Sequence, residues 1–261
     1  MLDTGKISNA AKAVDWKPAD LKIYHRFKQQ FHNWIASSKQ PVKGLPDTFY
    51  IVTGITDAFN QTYGLFKNIG VFPGEYGYHR LAIGNRCTTD LAMADVIIIS
   101  HPFSADGMSA HDKLAKADLY GKPIFVDCAF FGSCRNINFD FSKYKNIQSV
   151  CFSLSKTFGT GHHRVGLLYT AAAYPAAVYE QWHYPVVSSA QHHYGLLDTM
   201  SPDDLAVKYG RVQLEICEEL GIVPSDTVIF GLDYSDKFAQ FDRGGVNRLC
   251  ISDLIRDRYH G

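Results

Sequence analysis

The chain has 261 residues, of which 46% are hydrophobic and 13% aromatic, and its 26 basic side chains balance 26 acidic ones. Such a length supports one large domain, or one domain with a small lobe, around a full core. With the charges balanced, no global field marks the chain as a binder of nucleic acid or a membrane surface, and the longest apolar run, Val96 to Ile99, is far too short to span a bilayer.

Taken in chain order, "MLDTGKISNAAKAVDWKP" has no apolar core, so no secretory leader is expected. "ADLKIYHRFKQQFHNWIA" carries Leu21, Tyr24, Phe27, Phe31, Trp34 and Ile35 at helical spacing and predicts an amphipathic helix. After a loop with Pro41, Gly44 and Pro46, "TFYIVTG" reads as a buried strand, "ITDAFNQTYGLFK" as a helix and "NIGVFPG" as a short strand closed by Pro-Gly. "ADVIIIS" is the strongest strand pattern, and the helix "SAHDKLAKADLYG" follows it. "PIFVDCAF", "IQSVCFSLS" and "VGLLYT" are further strands, and helical patterns fill 175–182, 188–197 and 202–220. Beyond Gly221, "TVIFGLDYS" and "VNRLCIS" form a short two-strand region with a turn at Gly244-Gly245.

Apolar, β-branched strands alternating with helices predict a three-layer α/β/α domain with a mostly parallel sheet. The expected organisation is an N-terminal helical segment (1–46), a large domain (47–205) and a reduced C-terminal lobe (206–261). Six cysteines, with no C-x-x-C pair and several in apolar runs, predict reduced thiols in a cytoplasmic protein.

In a sheet of this kind ligands sit beyond the carboxyl ends of the strands. The polar residues there are Thr53-Gly54, Ser100-His101, Asp127 and Ser153 to Lys156. Lys156 is the unusual one, an amine at the end of an apolar run in "VCFSLSKTFGTGHHRVGLLY". "GTGHHR" lacks the third glycine of a dinucleotide fingerprint, and the S-x-x-K of Ser153 to Lys156 lacks the companion motifs of serine acyl transfer. The adjacent histidine pairs 162/163 and 192/193 do not converge easily on one metal. A Schiff-base lysine fits better, because a lysine partly withdrawn from water condenses with an aldehyde. Pyridoxal phosphate (PLP) would then need a carboxylate for its ring nitrogen, hydroxyls, a guanidinium and a helix N-terminus for its phosphate, and an aromatic clamp for its ring. Asp127, Ser153 with Arg164, Thr53 to Thr56, and Tyr76 or Tyr78 offer each of these. Helix capping by Asp127 or Thr56, packing by Tyr76 and plain surface roles for Lys156, Arg164 and Arg248 are the alternative readings.

From about Thr48 to Ser252 the sequence resembles the fold-type I PLP enzymes, in particular the class I/II aminotransferases similar to aspartate aminotransferase. "SLSKTFGTGHHRVG" resembles their lysine motif, "VDCAFFG" their pyridine-aspartate motif, "VTGITDAF" their phosphate loop, "SHPFSADG" their N-P-x-N-P-T-G loop and "VNRLCIS" their carboxylate-binding strand. The resemblance implies that Lys156 forms the Schiff base and shuttles the substrate proton, and that Asp127 pairs with the pyridine nitrogen. It further implies phosphate binding by Ser153, Arg164, Gly54, Ile55 and Thr56, ring packing by Tyr76 and Ala129, and α-carboxylate binding by Arg248. It implies amino acid and keto acid substrates and a homodimer with shared sites, on which the aromatic N-terminal helix packs either against the partner or into its own core.

Two positions depart from the family. Phe130 stands where a tyrosine would donate to the cofactor's phenolic oxygen, and Ser104 replaces an asparagine. Loss of those donors predicts a raised Schiff-base pKa, with His101 expected to compensate if it turns inward. The shortened C-terminal lobe predicts weak domain closure.

Overall fold

The computed structural model describes residues 21–160, 162–182 and 186–260. Its helices are α1 (Leu21–Ala36), α2 (Ile55–Leu65), α3 (Tyr78–Ile83), α4 (His111–Asp118), α5 (Pro175–Trp182), α6 (Val187–His193), α7 (Asp204–Leu220) and α8 (Ser252–His260). Its strands are β1 (Val42–Lys43), β2 (Phe49–Val52), β3 (Ile69–Val71), β4 (Cys87–Thr88), β5 (Val96–Ser100), β6 (Ile124–Cys128), β7 (Phe139–Asp140), β8 (Ile147–Ser153), β9 (Gly166–Thr170), β10 (Val223–Pro224), β11 (Phe230–Asp233) and β12 (Asn247–Cys250).

A seven-stranded sheet in the order β2-β9-β8-β6-β5-β3-β4 forms the centre. All its neighbours run parallel except β9, which is antiparallel to both β2 and β8. Its strands are apolar on both faces because helices cover both. In β5, Ile97 and Ile99 join the core cluster on one side, and Val96 and Ile98 join the cluster on the other. The period of two carries this alternation to the strand ends. Ser100 therefore shares a face with Ile98, Asp127 with Phe125, and Ser153 with Cys151, all on the α2 side.

The two readings of the N-terminal helix resolve in favour of its own core. Tyr24, Phe27, Phe31, Trp34 and Ile35 of α1 are all buried, and they belong to the main core cluster together with Ala190 of α6. Trp34 Nε1 donates to the Met200 carbonyl at 2.7 Å, which satisfies the indole in the interior. The first twenty residues of the expected 1–46 segment lie outside the described residues.

The C-terminal lobe is the antiparallel sheet β10-β11-β12 with α7 and α8 packed around Ile216, Cys217, Ile222, Leu249, Ile251 and Ile255. Helix α8 was not expected: its arginines and aspartates dilute the apolar signal, and only Ile255 is buried deeply. The lobe is stitched to the large domain through the loop after β5. Ser225 Oγ donates to the Asp106 carbonyl at 2.7 Å and Thr227 Oγ1 to the Gly107 carbonyl at 2.8 Å.

Candidate active site

A cavity of about 250 Å³ opens at the carboxyl ends of β5, β6 and β8. Ile55, Thr56, Tyr76, Ser104, Asp127, Ala129, Phe130, Ser153, Lys156, Arg164 and Arg248 all line it. Residues almost two hundred positions apart thus meet because a parallel sheet gathers its strand ends on one edge.

One end is a cradle for an anion. Gly54 precedes α2 with φ of +86°, and a Cβ there would lie 3.1 Å from the Arg164 guanidinium, so glycine lets the guanidinium lie against the backbone. Arg164 Nη2 donates to Thr56 Oγ1 at 3.0 Å, which fixes the guanidinium beside the first turn of α2. The helix is capped by Gly54 without any side-chain bond, so its first N–H groups stay free and Thr56 is not its cap. Ser153 Oγ accepts from the Ser155 N–H at 3.3 Å, in a turn that points both hydroxyls at the cavity.

The other end is acidic. Asp127 is buried, and its carboxylate accepts one backbone N–H, from Ala129 at 2.8 Å. Burial, reinforced by the neighbouring Glu75 carboxylate, pushes its pKa up to about 7. Glu75 is itself raised by burial, although it accepts from the N–H of Ser100 and of Tyr76 at 2.8 Å each. Tyr76 borders this end, whereas Tyr78 does not line the cavity and instead donates to Asn60 Oδ1 at 3.0 Å.

The third side is built by the C-terminal lobe. Arg248 on β12 donates from Nη1 to the Ser104 carbonyl and lays its guanidinium 4.3 Å from the centre of the Phe230 ring. Burial lowers its pKa to about 10, the mark of a guanidinium partly stripped of water. Phe130 meets Phe230 edge to face at 5.1 Å, so the two rings form an apolar wall under the arginine.

Lys156 follows the end of β8 and lines the cavity, with its side chain exposed to solvent rather than buried. His101 departs from expectation. Its ring is fully buried on the opposite side of the sheet, Nε2 donates to the Asn138 carbonyl at 2.9 Å and Nδ1 accepts from the Ala110 N–H at 3.1 Å. Both nitrogens are used, and burial lowers its pKa to about 4, so it has no proton to offer the cavity. The strand period explains this: His101 points opposite to Ser100.

Three contributors are not evident in the sequence. Glu75 lies within "PGEYGYHR", where the tyrosines are the stronger signal, and Phe230 reads as an ordinary strand residue. His79, packed 4.6 Å from the Phe59 ring and bonded to Tyr63 Oη at 2.6 Å, sits three residues after Tyr76 on the buried side of α3. A charged residue beside a Gly-rich turn is the one local signal for Glu75.

Neither a known protein-family model nor any curated protein sequence matches the chain. Solved structures do. The histidinol-phosphate aminotransferase of Sinorhizobium meliloti in complex with pyridoxal-5'-phosphate superposes with a TM-score of 0.62 at 19% identity, over 90% of this chain and 72% of that one. The L-threonine-O-3-phosphate decarboxylase of Porphyromonas gingivalis superposes at 0.60 with 11% identity, over 90% and 88%. The PLP-bound C-S lyase of Staphylococcus hominis superposes at 0.64 with 12% identity, over 96% and 84%. The chain has the fold of the fold-type I PLP-dependent enzymes. The cavity lies where strand ends, α2 and the C-terminal lobe meet, and the similar structures are an aminotransferase, a decarboxylase and a C-S lyase by name.

Proposed function

We propose that the chain is a PLP-dependent enzyme acting on α-amino acids, and that its reaction is transamination to a keto acid. The observation that carries this reading is a buried carboxylate without a cation. Asp127 forms no ion pair among the described residues, yet it faces one cavity with an amine and an anion cradle. A buried acid is costly unless a positive group completes it, and a protonated pyridine nitrogen is such a group. The cradle at Gly54, which a Cβ would crowd, fits a phosphate in the same way.

When bound, the cofactor supplies an electron sink that acidifies the substrate Cα–H. The chain's residues do the rest. Lys156 would hold the cofactor's aldehyde through Nζ, and the same amine would carry the proton at substrate Cα. Asp127 holds the proton on the ring nitrogen. Ser153, Thr56, Arg164 and the backbone of Gly54 and Ile55 bind the phosphate. Tyr76 and Ala129 would pack against the cofactor ring, and Phe130 and Ser104 would line the rest of its pocket. Arg248 binds the α-carboxylate, and its partial desolvation strengthens that ion pair. We place the protein in a reducing cytoplasm, which suits its six free thiols, and in a homodimer whose partner covers exposed apolar side chains such as Leu81.

An absorbance scan of the purified protein tests the cofactor assignment. A visible band that vanishes in Lys156→Ala is expected; no band, or a band unchanged in the variant, refutes the Schiff-base role. Amino acids are then added singly. Bleaching reversed by a keto acid establishes transamination, whereas release of carbon dioxide, of a thiol or of the opposite enantiomer assigns a decarboxylase, lyase or racemase instead.

A further inference from the structure

Asp127 is the carboxylate that lines the acidic end of the cavity, and a second one, Glu75, stands behind that wall on Ser100. Glu75 Oε1 accepts from Ser100 Oγ at 2.5 Å and from the Tyr76 N–H at 2.8 Å, and Oε2 accepts from the Ser100 N–H at 2.8 Å. Ser100 is the register partner of Asp127 on the adjacent parallel strand, so the two residues stand about 4.8 Å apart along the sheet and project on the same face. Ser100 Oγ also accepts from the Ser104 N–H at 2.8 Å, which ties the carboxylate to the loop that carries Arg248's partner carbonyl.

The groups facing this pair are few. Tyr63 is held neutral by burial, Lys156 lies across the cavity, and Lys113 is engaged 4.4 Å over the Phe103 ring and 3.5 Å from Asp112. A glutamine at 75 would keep the shape but turn an amide N–H₂ toward donors of Ser100 or Tyr76, so the three accepted hydrogen bonds favour a carboxyl group there. A carboxylate held by the register neighbour of Asp127 adds negative potential there and favours a cation that binds beside Asp127.

We propose that Glu75 is a positioning residue which, from behind the cavity wall and through Ser100, makes the Asp127 end of the cavity selective for a protonated ring nitrogen. The inference rests on the assignment of the cofactor and of Asp127 made above. Glu75 acts through Ser100 and through its field on Asp127, and it touches neither the ring nor the substrate. Its second effect is on Tyr76, whose backbone it holds beside the ring face.

The test compares two probes on the cofactor-free full chain: PLP, and its 1-deaza analogue, which has the same shape and phosphate but no ring nitrogen. Dissociation constants are read from tryptophan fluorescence quenching. Wild type is expected to prefer PLP, and Glu75→Gln is expected to lower that preference about tenfold, equivalent to about 1.4 kcal/mol, by weakening PLP while leaving the analogue's affinity within about twofold. A parallel loss for both probes would overturn the proposal, because a purely structural glutamate would damage both equally. Ser100→Ala, which frees the carboxylate from its hydroxyl donor, is expected to shift the ratio in the same direction by less; an unchanged ratio there, should the first variant fail to fold, also overturns it. Asp127→Asn separates the layers. If that variant leaves the ratio intact, the assignment of Asp127 fails rather than the role of Glu75.

Discussion

Replacing Asp127 by asparagine should stabilise the cofactor-free protein at neutral and alkaline pH while it weakens the cofactor site. An aspartate in an unfolded chain titrates near 3.9, whereas burial and the Glu75 charge raise Asp127 to about 7 in the fold. The folded state therefore binds a proton that the unfolded state lacks between about pH 4 and 7, and stability falls through that window as pH rises. Three pH units at about 1.4 kcal/mol each set a ceiling of about 4 kcal/mol above pH 7. Relaxation and water entry reduce such buried penalties, so about 2 kcal/mol is the expected gain for asparagine, which keeps an acceptor for the Ala129 N–H. For a chain of this size that gain corresponds to about 4–8 °C in Tm. Thermal melts of both cofactor-free proteins from pH 5 to 8.5 read it directly. The variant should lead at pH 8, and the gap should shrink to about a third by pH 5, because only the part of the window below that pH still counts. If the variant melts at or below wild type at pH 8, Asp127 is not held as a buried, uncompensated acid.

Arg164→Ala should weaken inorganic phosphate and PLP binding by roughly 10- to 100-fold, the range of a lost charge-assisted bidentate contact, as read by titration of the cofactor-free protein. Phe230→Leu removes the ring beneath Arg248 and should raise KM for amino acids severalfold, about 1 kcal/mol, with kcat nearly unchanged. Phe130→Tyr restores a donor at the ring edge and should lower the pH midpoint of the visible band by about one pH unit; a midpoint that stays or rises counts against the geometry. Gly107→Ala forces a Cβ to within 2.6 Å of Ser225 Oγ at φ of +68°, and should cost about 2 kcal/mol or more in urea melts, with KM rising alongside as the lobe loses its seat.

What was legible in the sequence follows from period and placement. The strands of the large sheet are apolar without interruption, and their ends carry Ser100, Asp127 and Ser153, so both the layer architecture and the cavity edge could be read from local pattern. The direction of a side chain at a strand end could not be read without the register. His101 and Ser100 are adjacent and equally polar, and the pleat sends one into the core and the other to the cavity. Glu75 and Phe230 were missed for a related reason. Their roles come from partners across the fold, Ser100 for one and Arg248 with Phe130 for the other, and nothing local to either residue announces them. Lys156 shows the converse limit: the apolar run before it implies burial, but the strand ends one turn earlier and releases the amine into open space.

A short lobe changes what holds the substrate end in place. In a two-domain enzyme closure brings the carboxylate-binding arginine to the cofactor and expels water. Here Arg248 is fixed by two contacts, the Ser104 carbonyl and the Phe230 ring, and Phe130 from the large domain backs that ring. The lobe's seat is fixed as well, by Ser225 and Thr227 on the loop after β5 and by the Val228 N–H on the Ser133 carbonyl at 2.8 Å. The same loop begins at Ser100, which Glu75 accepts from, so one hydrogen-bonded line runs from Glu75 through Ser100 and Ser104 to Arg248. Phenylalanine at 130 then serves a purpose that tyrosine would complicate. An edge-to-face ring contact needs no polar partner, and it lets a desolvated guanidinium rest on a dry wall that a phenol would wet. Arg248 is thus held in place by the large domain and partly withdrawn from water, and burial lowers its pKa to about 10.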